Sequence, residues 1–208
     1  MNGNDATAFN LTQHTYKSVI KVAILGAEST GKTTLSRDLA AYFGSPWVPE
    51  YMRIYLQEKW DNEQVTCTWD DLLPIAQGQI DLENKLTQQA AQNLQPSRNP
   101  NPNPETQKYL FCDTSLFELM VYSNWYYGDC PDALTQAALS HHYDLILLTA
   151  VDIPWVADDL RDSPYQRDEI SAYFESQLNC HEKNFKRVGG DRGERVRQVV
   201  ECLKELDS

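Results

Sequence analysis

The apolar positions of this chain switch repeatedly between two periods. Val19 to Leu25 is an almost continuous apolar, β-branched run, as expected of a strand buried on both faces. Leu35, Leu39, Tyr42 and Phe43 then recur at helical spacing, and Gly44 ends that helix. Trp47 and Val48 read as a short second strand that stops at Pro49, and a helix carrying Arg53 begins at Glu50. From about Asp70 to Asn93, Leu72, Leu73, Ile75, Ala76, Ile80 and Leu86 lie mostly on one stripe of a long amphipathic helix. "KYLFCDTS" is a buried strand ending at Asp113, followed by helices over Leu116 to Trp125 and from about Asp132 to Ser140. "YDLILLTA" is another buried strand, "YQRDEISAYFESQLN" another helix, and "FKRVGG" a last short strand. Val196, Val199, Val200 and Leu203 mark the closing helix.

Strands that alternate with helices and are apolar throughout predict an α/β fold, a parallel five-stranded sheet with helices on both faces. Three segments stand outside the pattern. Residues 1–17 are polar, rich in Asn and Thr, and are expected to form a mobile tail ahead of one domain over 18–208. Asn93 to Gln107, "NLQPSRNPNPNPETQ", is barred from helix and strand by its prolines and reads as a surface loop. Residues 152–168 are polar, charged and broken by Pro154 and Pro164, a lid-like composition.

The turn between the first strand and first helix carries the chemistry. Gly26, Ala27, Glu28, Ser29, Thr30, Gly31, Lys32 and Thr33 spell G-x-x-x-x-G-K-T between a strand and a helix, the setting of a P-loop. Glycines let the backbone N–H groups turn toward phosphate oxygens, and the helix N-terminus adds partial positive charge. Lys32 reaches the β and γ phosphates, and the Thr33 hydroxyl binds Mg²⁺. Thr34 and Arg167 complete the expected nucleotide-binding set, with ATP and Mg²⁺ as cofactors.

In a parallel sheet, ligands bind beyond the C-terminal strand ends. Asp113 ends the third strand, where it either joins Mg²⁺ and catalysis or caps the next helix. Glu50 and Arg53 share one helix face after the second strand; a carboxylate there can take an acceptor hydroxyl proton, and an arginine can hold a phosphate or ribose oxygen. The alternative is an ordinary helix start. Arg161 and Arg167 on or beside the lid can balance charge as it closes. Trp155 either stacks on a flat ring or anchors the lid to the core.

Composition narrows the partners. The 208 residues suit one domain with a sizeable core, and a net charge of −12 argues against nucleic acid, whose phosphates need a basic face. The five cysteines form no C-x-x-C pair and read as scattered reduced thiols of a cytoplasmic protein. His141 and His142 read as a solvated helix end, and no apolar run is long enough for a membrane. The GTPase motifs N-K-x-D and D-x-x-G and a transporter-type L-S-G-G-Q do not occur.

"LGAESTGKTTL", "PEYMRIYL", "CDTSLFE" and "DIPWVADDLR" together resemble the ribosylnicotinamide kinase family, found in bacteria as a domain of NadR-type NAD-metabolism proteins. The resemblance runs from about Val19 to Leu203. It implies a P-loop kinase that transfers a phosphoryl group from ATP to the 5′-hydroxyl of nicotinamide riboside, giving nicotinamide mononucleotide. Carried onto this chain, Gly26 to Thr33 bind ATP, while Glu50, Tyr51 and Arg53 serve the acceptor side. Asp113 lies near metal and acceptor, and Trp155, Asp158 and Arg161 close over nucleoside and phosphates. The catalytic set is then Lys32, Asp113, Glu50 and Arg161. The chain has no H-x-G-H nucleotidyltransferase signature, and the Pro/Asn loop resembles an insertion. Another nucleoside or nucleotide kinase, a nucleotide- or NAD-sensing module and a partner-coupled ATPase stay open, as does the oligomeric state.

Overall fold

A computed structural model describes residues 9–93, 109–155 and 165–206. In chain order these form β1 (Ile20–Leu25), α1 (Lys32–Phe43), β2 (Trp47–Val48), α2 (Tyr51–Glu63) and a 3₁₀ turn (Trp69–Asp71). Then come α3 (Leu72–Asn93), β3 (Tyr109–Asp113), α4 (Leu116–Tyr127), α5 (Asp132–Ser140), β4 (Leu145–Thr149), α6 (Arg167–Cys180), β5 (Lys186–Val188) and α7 (Arg192–Leu206). The strands make one five-stranded sheet in the order β2-β3-β1-β4-β5, and every pairing is parallel. The expected α/β architecture and its P-loop-kinase-like strand succession are present.

The pleat sorts the core. Val22 and Ile24 of β1, Phe111 of β3 and Leu147 of β4 face α1 and α7 with Leu35, Leu39, Val199 and Leu203. Ala23, Leu25, Ile146 and Leu148 face the other way, onto Ile75, Ile80, Leu116, Met120 and Phe174. Apolar residues on both sides of each central strand are why the runs read as continuous rather than alternating. β5 departs from that expectation. Lys186 and Arg187 are exposed, and Arg187 pairs with Glu175, so this outer strand is charged where the inner ones are apolar.

Three sequence expectations need correcting. The long helix is preceded by a 3₁₀ turn with a capping box, in which the Thr68 N–H donates to Asp71 Oδ2 at 2.7 Å. Residues 9–17 are not a mobile tail. The Asn10 N–H donates to Gln77 Oε1 at 2.7 Å and the His14 N–H to Asn84 Oδ1 at 2.7 Å, while Asn84 Nδ2 donates to the Thr12 carbonyl at 2.8 Å. Gln77 and Asn84 are two helical turns apart on α3, so one helix face holds the strap. Nor is His141 a solvated helix end: it is buried, with Nε2 2.7 Å from the Leu11 carbonyl, whereas His142 is exposed. Residues 1–8, and the part of the Pro/Asn-rich loop beyond Asn93, lie outside the described residues.

Candidate active site

The register of the sheet builds the site. Ile24 pairs with Asp113, so the end of β3 lies beside the start of the loop that follows β1. Leu25 pairs with Leu148, and one residue further Thr149 meets that loop from the other side. Gly26 has φ 146° there, and a Cβ would overlap the Thr149 hydroxyl, so only glycine fits. The Thr30 and Thr149 hydroxyls are 2.7 Å apart, and Thr30 Oγ1 also donates to the Ala27 carbonyl at 2.7 Å. Gly31 caps α1 in the left-handed region, and Ser29 adopts φ 56° without being glycine, a local strain of the kind that loops at functional sites hold.

Lys32 points into the protein. Its Nζ donates to the Gly26 carbonyl at 2.8 Å and the Ala27 carbonyl at 3.1 Å, and lies 3.2 Å from Glu118 Oε1. Burial alone would depress the ammonium pKa, but Glu118, Glu50 and Asp113 outweigh it and hold the group above the ordinary lysine value. Asp113 is 1% exposed and neither carboxyl oxygen has a hydrogen-bond partner among the described residues. Burial, together with the Glu50 charge, pushes its carboxyl up to about 6 against the opposing effect of the Thr33 hydroxyl, Lys32 and Arg37.

A cavity of about 650 Å³ runs from Glu28–Thr34 past Glu50, Arg53 and Glu118 into a chamber walled by Met52, Leu56, Tyr122, Tyr126 and Tyr127. The structure thus brings most of the predicted loop together with Glu50 and Arg53 on one cavity. Tyr51 is directed elsewhere. Its ring lies against α3, where a Cβ on Gly78 would overlap it, and it does not line the cavity. Trp155 also lies off the cavity wall, its ring 5.8 Å from the Arg167 guanidinium. Arg167 does reach the loop, donating to the Ser29 carbonyl at 3.3 Å and to the Ile153 carbonyl at 2.9 Å. Asp158 and Arg161 lie outside the described residues.

Sequence reasoning missed four features. Glu118 is the one charged residue of α4, four positions after Thr114, and that lone acid in an apolar run was the available signal. Tyr122, Tyr126 and Tyr127 line the chamber from the same helix, and the Tyr122 hydroxyl is buried with no hydrogen-bond partner among the described residues. Arg195 of α7 donates to the Thr30 carbonyl at 2.6 Å, to the Gly190 carbonyl at 3.1 Å and to Asp152, pinning the P-loop from 165 residues away in sequence. Arg37 of α1 stacks 5.0 Å from the Trp47 ring and acts electrostatically on Asp113. Neither arginine had a local sequence signal.

The loop can bind phosphates, Thr33 with Asp113 can hold a hydrated divalent cation, and Glu50 and Arg53 can address a second substrate in the chamber. Two unpartnered, buried Asp113 oxygens beside Thr33 fit such a cation. No group of three or more metal-ligating side chains occurs among the described residues, which suits an ion that brings phosphate and water ligands with it.

A family model described as AAA domain matches residues 21–195. The trifunctional NAD biosynthesis/regulator protein NadR of Escherichia coli strain K12 is 28% identical over 191 residues, covering 89% of this chain and 42% of that protein. Its counterpart from Salmonella typhimurium LT2 is 27% identical over the same shares. The chain therefore spans less than half the length of these curated relatives. Among solved structures, a NadR protein in complex with NR has a TM-score of 0.67 at 22% identity, covering 91% of this chain and 52% of that one. A NadR protein in complex with NAD and AMP-PNP gives 0.66 at 22%, covering 91% and 50%. Thymidylate kinase from Ehrlichia chaffeensis gives 0.54 at 14%, covering 90% and 99%. These structural likenesses establish a shared P-loop kinase fold.

Proposed function

The chain belongs to the AAA domain family, and from that premise we propose that it is an ATP- and Mg²⁺-dependent kinase of nicotinamide riboside, acting in a reducing cytoplasm. The observation that carries the reading is the single cavity joining the P-loop to a tyrosine-walled chamber through Glu50 and Arg53. Similarity to NadR and the quoted sequence motifs support the choice of acceptor.

The loop amides and Lys32 hold the β and γ phosphates of ATP. Thr33 and Asp113 would hold Mg²⁺, which when bound would neutralise charge on the phosphates. Glu50 lines the cavity and Asp113 does not, which supports Glu50 as the acceptor-side base and Asp113 on the metal side. The 5′-hydroxyl oxygen forms its bond to the γ phosphorus as the bridging bond to the β phosphate breaks. Its proton passes to Glu50, and ADP leaves with the bridging oxygen. Arg53 and Arg167 supply positive charge along the cavity and at the loop. Arg161 is assigned to the same task on sequence grounds alone, as Asp158 and Trp155 are to closing over the nucleoside. The pyridinium ring of the acceptor is flat and cationic, which suits a chamber of tyrosine faces with glutamates at its neck.

The test is an ADP-release assay with nicotinamide riboside, uridine, cytidine, adenosine and thymidine monophosphate as acceptors. Turnover with nicotinamide riboside well above the others is expected. Equal turnover of uridine would remove the substrate assignment, and ADP release that no acceptor stimulates would replace the kinase by an ATPase.

A further inference from the structure

The ammonium of Lys32 has three N–H donors, and all three are engaged within the chain. Two go to the Gly26 and Ala27 carbonyls at 2.8 and 3.1 Å, and the third faces Glu118 Oε1 at 3.2 Å. Glu118 is itself anchored from two further sides. Its Oε2 accepts from the Gly26 N–H at 3.1 Å, and Oε1 is 3.4 Å from the Thr114 hydroxyl. The carboxyl is 2% exposed: burial pushes it up to about 8, while Lys32, in contact and screened little by water, pulls it back toward the ionised form that holds the ammonium. Glu50 and Asp113 also act on Lys32 electrostatically, but Glu118 is the carboxylate in contact with it.

The Lys32 ammonium is the donor that a P-loop offers to the β and γ phosphates, and Glu118 holds it from one side while anchored by the buried Gly26 N–H. We infer that Glu118 is a positioning residue that competes with nucleotide phosphates for Lys32, and so sets how tightly the loop holds a nucleotide. The inference rests on the nucleotide-binding half of the proposed function and is independent of the acceptor. Binding exchanges the carboxylate for phosphate oxygens at the Lys32 ammonium, so part of the gain is spent on releasing Glu118. Because Glu118 also lines the acceptor cavity, the strength of that hold is set in a place that an acceptor can reach.

The effect is read by titrating ADP into four proteins by calorimetry: the parent, Glu118→Gln, Lys32→Met and the double variant. Gln keeps an oxygen for the Gly26 N–H but removes the charge that holds Lys32. Glu118→Gln is expected to lower the Kd for ADP about tenfold, the scale of one charge-assisted hydrogen bond released from competition. In the Lys32→Met background the same substitution is expected to change Kd less than twofold, because the residue it acts through is gone. Glu118→Asp, which keeps the charge on a shorter arm, should fall between parent and Gln. Equal tightening in both backgrounds would mean general repulsion of the anion by a buried carboxylate and would overturn the inference. So would weaker ADP binding by Glu118→Gln in a protein whose thermal unfolding remains cooperative. A parent that binds no ADP at millimolar concentration would overturn the nucleotide reading and this inference together. A parent that binds ADP yet turns over no nicotinamide riboside would remove only the acceptor assignment.

Discussion

Asp113 shows how one buried carboxylate ties stability to chemistry. Its pKa is raised from 3.8 to about 6, chiefly by burial, so the folded protein favours the neutral acid. Such a group binds more protons folded than unfolded between these values, so its contribution to stability falls as pH rises from about 4 to about 6. Above pH 6 the folded state carries the full cost of the ionised group, up to ~3 kcal/mol by linkage. Asp113→Asn should therefore raise Tm at pH 7.5, and the gain should shrink to nothing below pH 4. The same variant should lose about 10²-fold or more in kcat, with a much smaller change in nucleotide affinity. Calorimetric melts across pH, paired with steady-state kinetics, check both halves. The structure rules out the helix-cap alternative, since Ser115 is the N-cap of α4 and the Asp113 oxygens bond to no described backbone N–H. A variant that melts lower at pH 7.5 and keeps its kcat would leave Asp113 a purely structural role. Lys32→Ala should abolish phosphoryl transfer while leaving the far-ultraviolet dichroism unchanged. Turnover near the parent's would strip the P-loop of any catalytic meaning.

At the scale of the element, α2 has no fully buried residue, because its inner face forms a wall of the cavity. Its two tyrosines point away from that wall. Tyr51 fills the notch left by Gly78 on α3, and the Tyr55 hydroxyl donates to Asp71 Oδ1 at 3.0 Å. Gly78→Ala should cost about 1–3 kcal/mol, the usual penalty of overpacking, measured by urea unfolding. Adding Tyr51→Ala to it should recover part of that loss, which a mere helix-propensity effect would not allow. Tyr51→Ala alone should leave the KM for nicotinamide riboside within a few-fold of the parent's. Tyr126→Ala removes a ring that does line the chamber. It should raise that KM by about 3- to 30-fold, with little change in the KM for ATP, if ring contacts hold a pyridinium. Reversal of that order would return Tyr51 to the substrate side.

Across the whole molecule, one buried ion pair joins the strap at residues 9–17 to the sheet and to α3. Lys21 Nζ donates to Glu83 Oε1 at 2.8 Å and to the His14 carbonyl at 2.6 Å. Gln13 Nε2 and the Tyr143 hydroxyl donate to the two Glu83 oxygens at 2.8 and 2.7 Å. The side chains of the pair are 3% and 1% exposed. Lys21→Met leaves Glu83 charged and buried without its cation, so it should cost about 3–5 kcal/mol. The Lys21→Met/Glu83→Leu pair should recover much of that, because an apolar replacement of both partners avoids the unpaired charge. Denaturant unfolding of the three proteins checks this; equal losses in single and double variants would mean that packing, not charge, dominates here.

The order of strands and helices, the P-loop and the strand ends that flank it were legible in the sequence alone. Each depends on local periodicity, or on glycine and lysine at fixed spacing, which a linear reading captures. The common face of Glu50 and Arg53, which both line the cavity, was legible too, because one helix turn fixes it. Other features were decided only when distant segments met. Arg195 reaches the Thr30 carbonyl from 165 positions away, and Glu118 reaches Gly26 from 92. The strap at residues 9–17 looked unpatterned because its partners, Gln77 and Asn84, lie some seventy residues downstream. Tyr51 was assigned to the acceptor side through the resemblance of "PEYMRIYL", while the space left by a missing Cβ on another helix takes its ring away from the cavity. Periodicity shows which face of an element is buried. What that face meets is fixed by the parallel register and by which side chains find space, and neither is written locally.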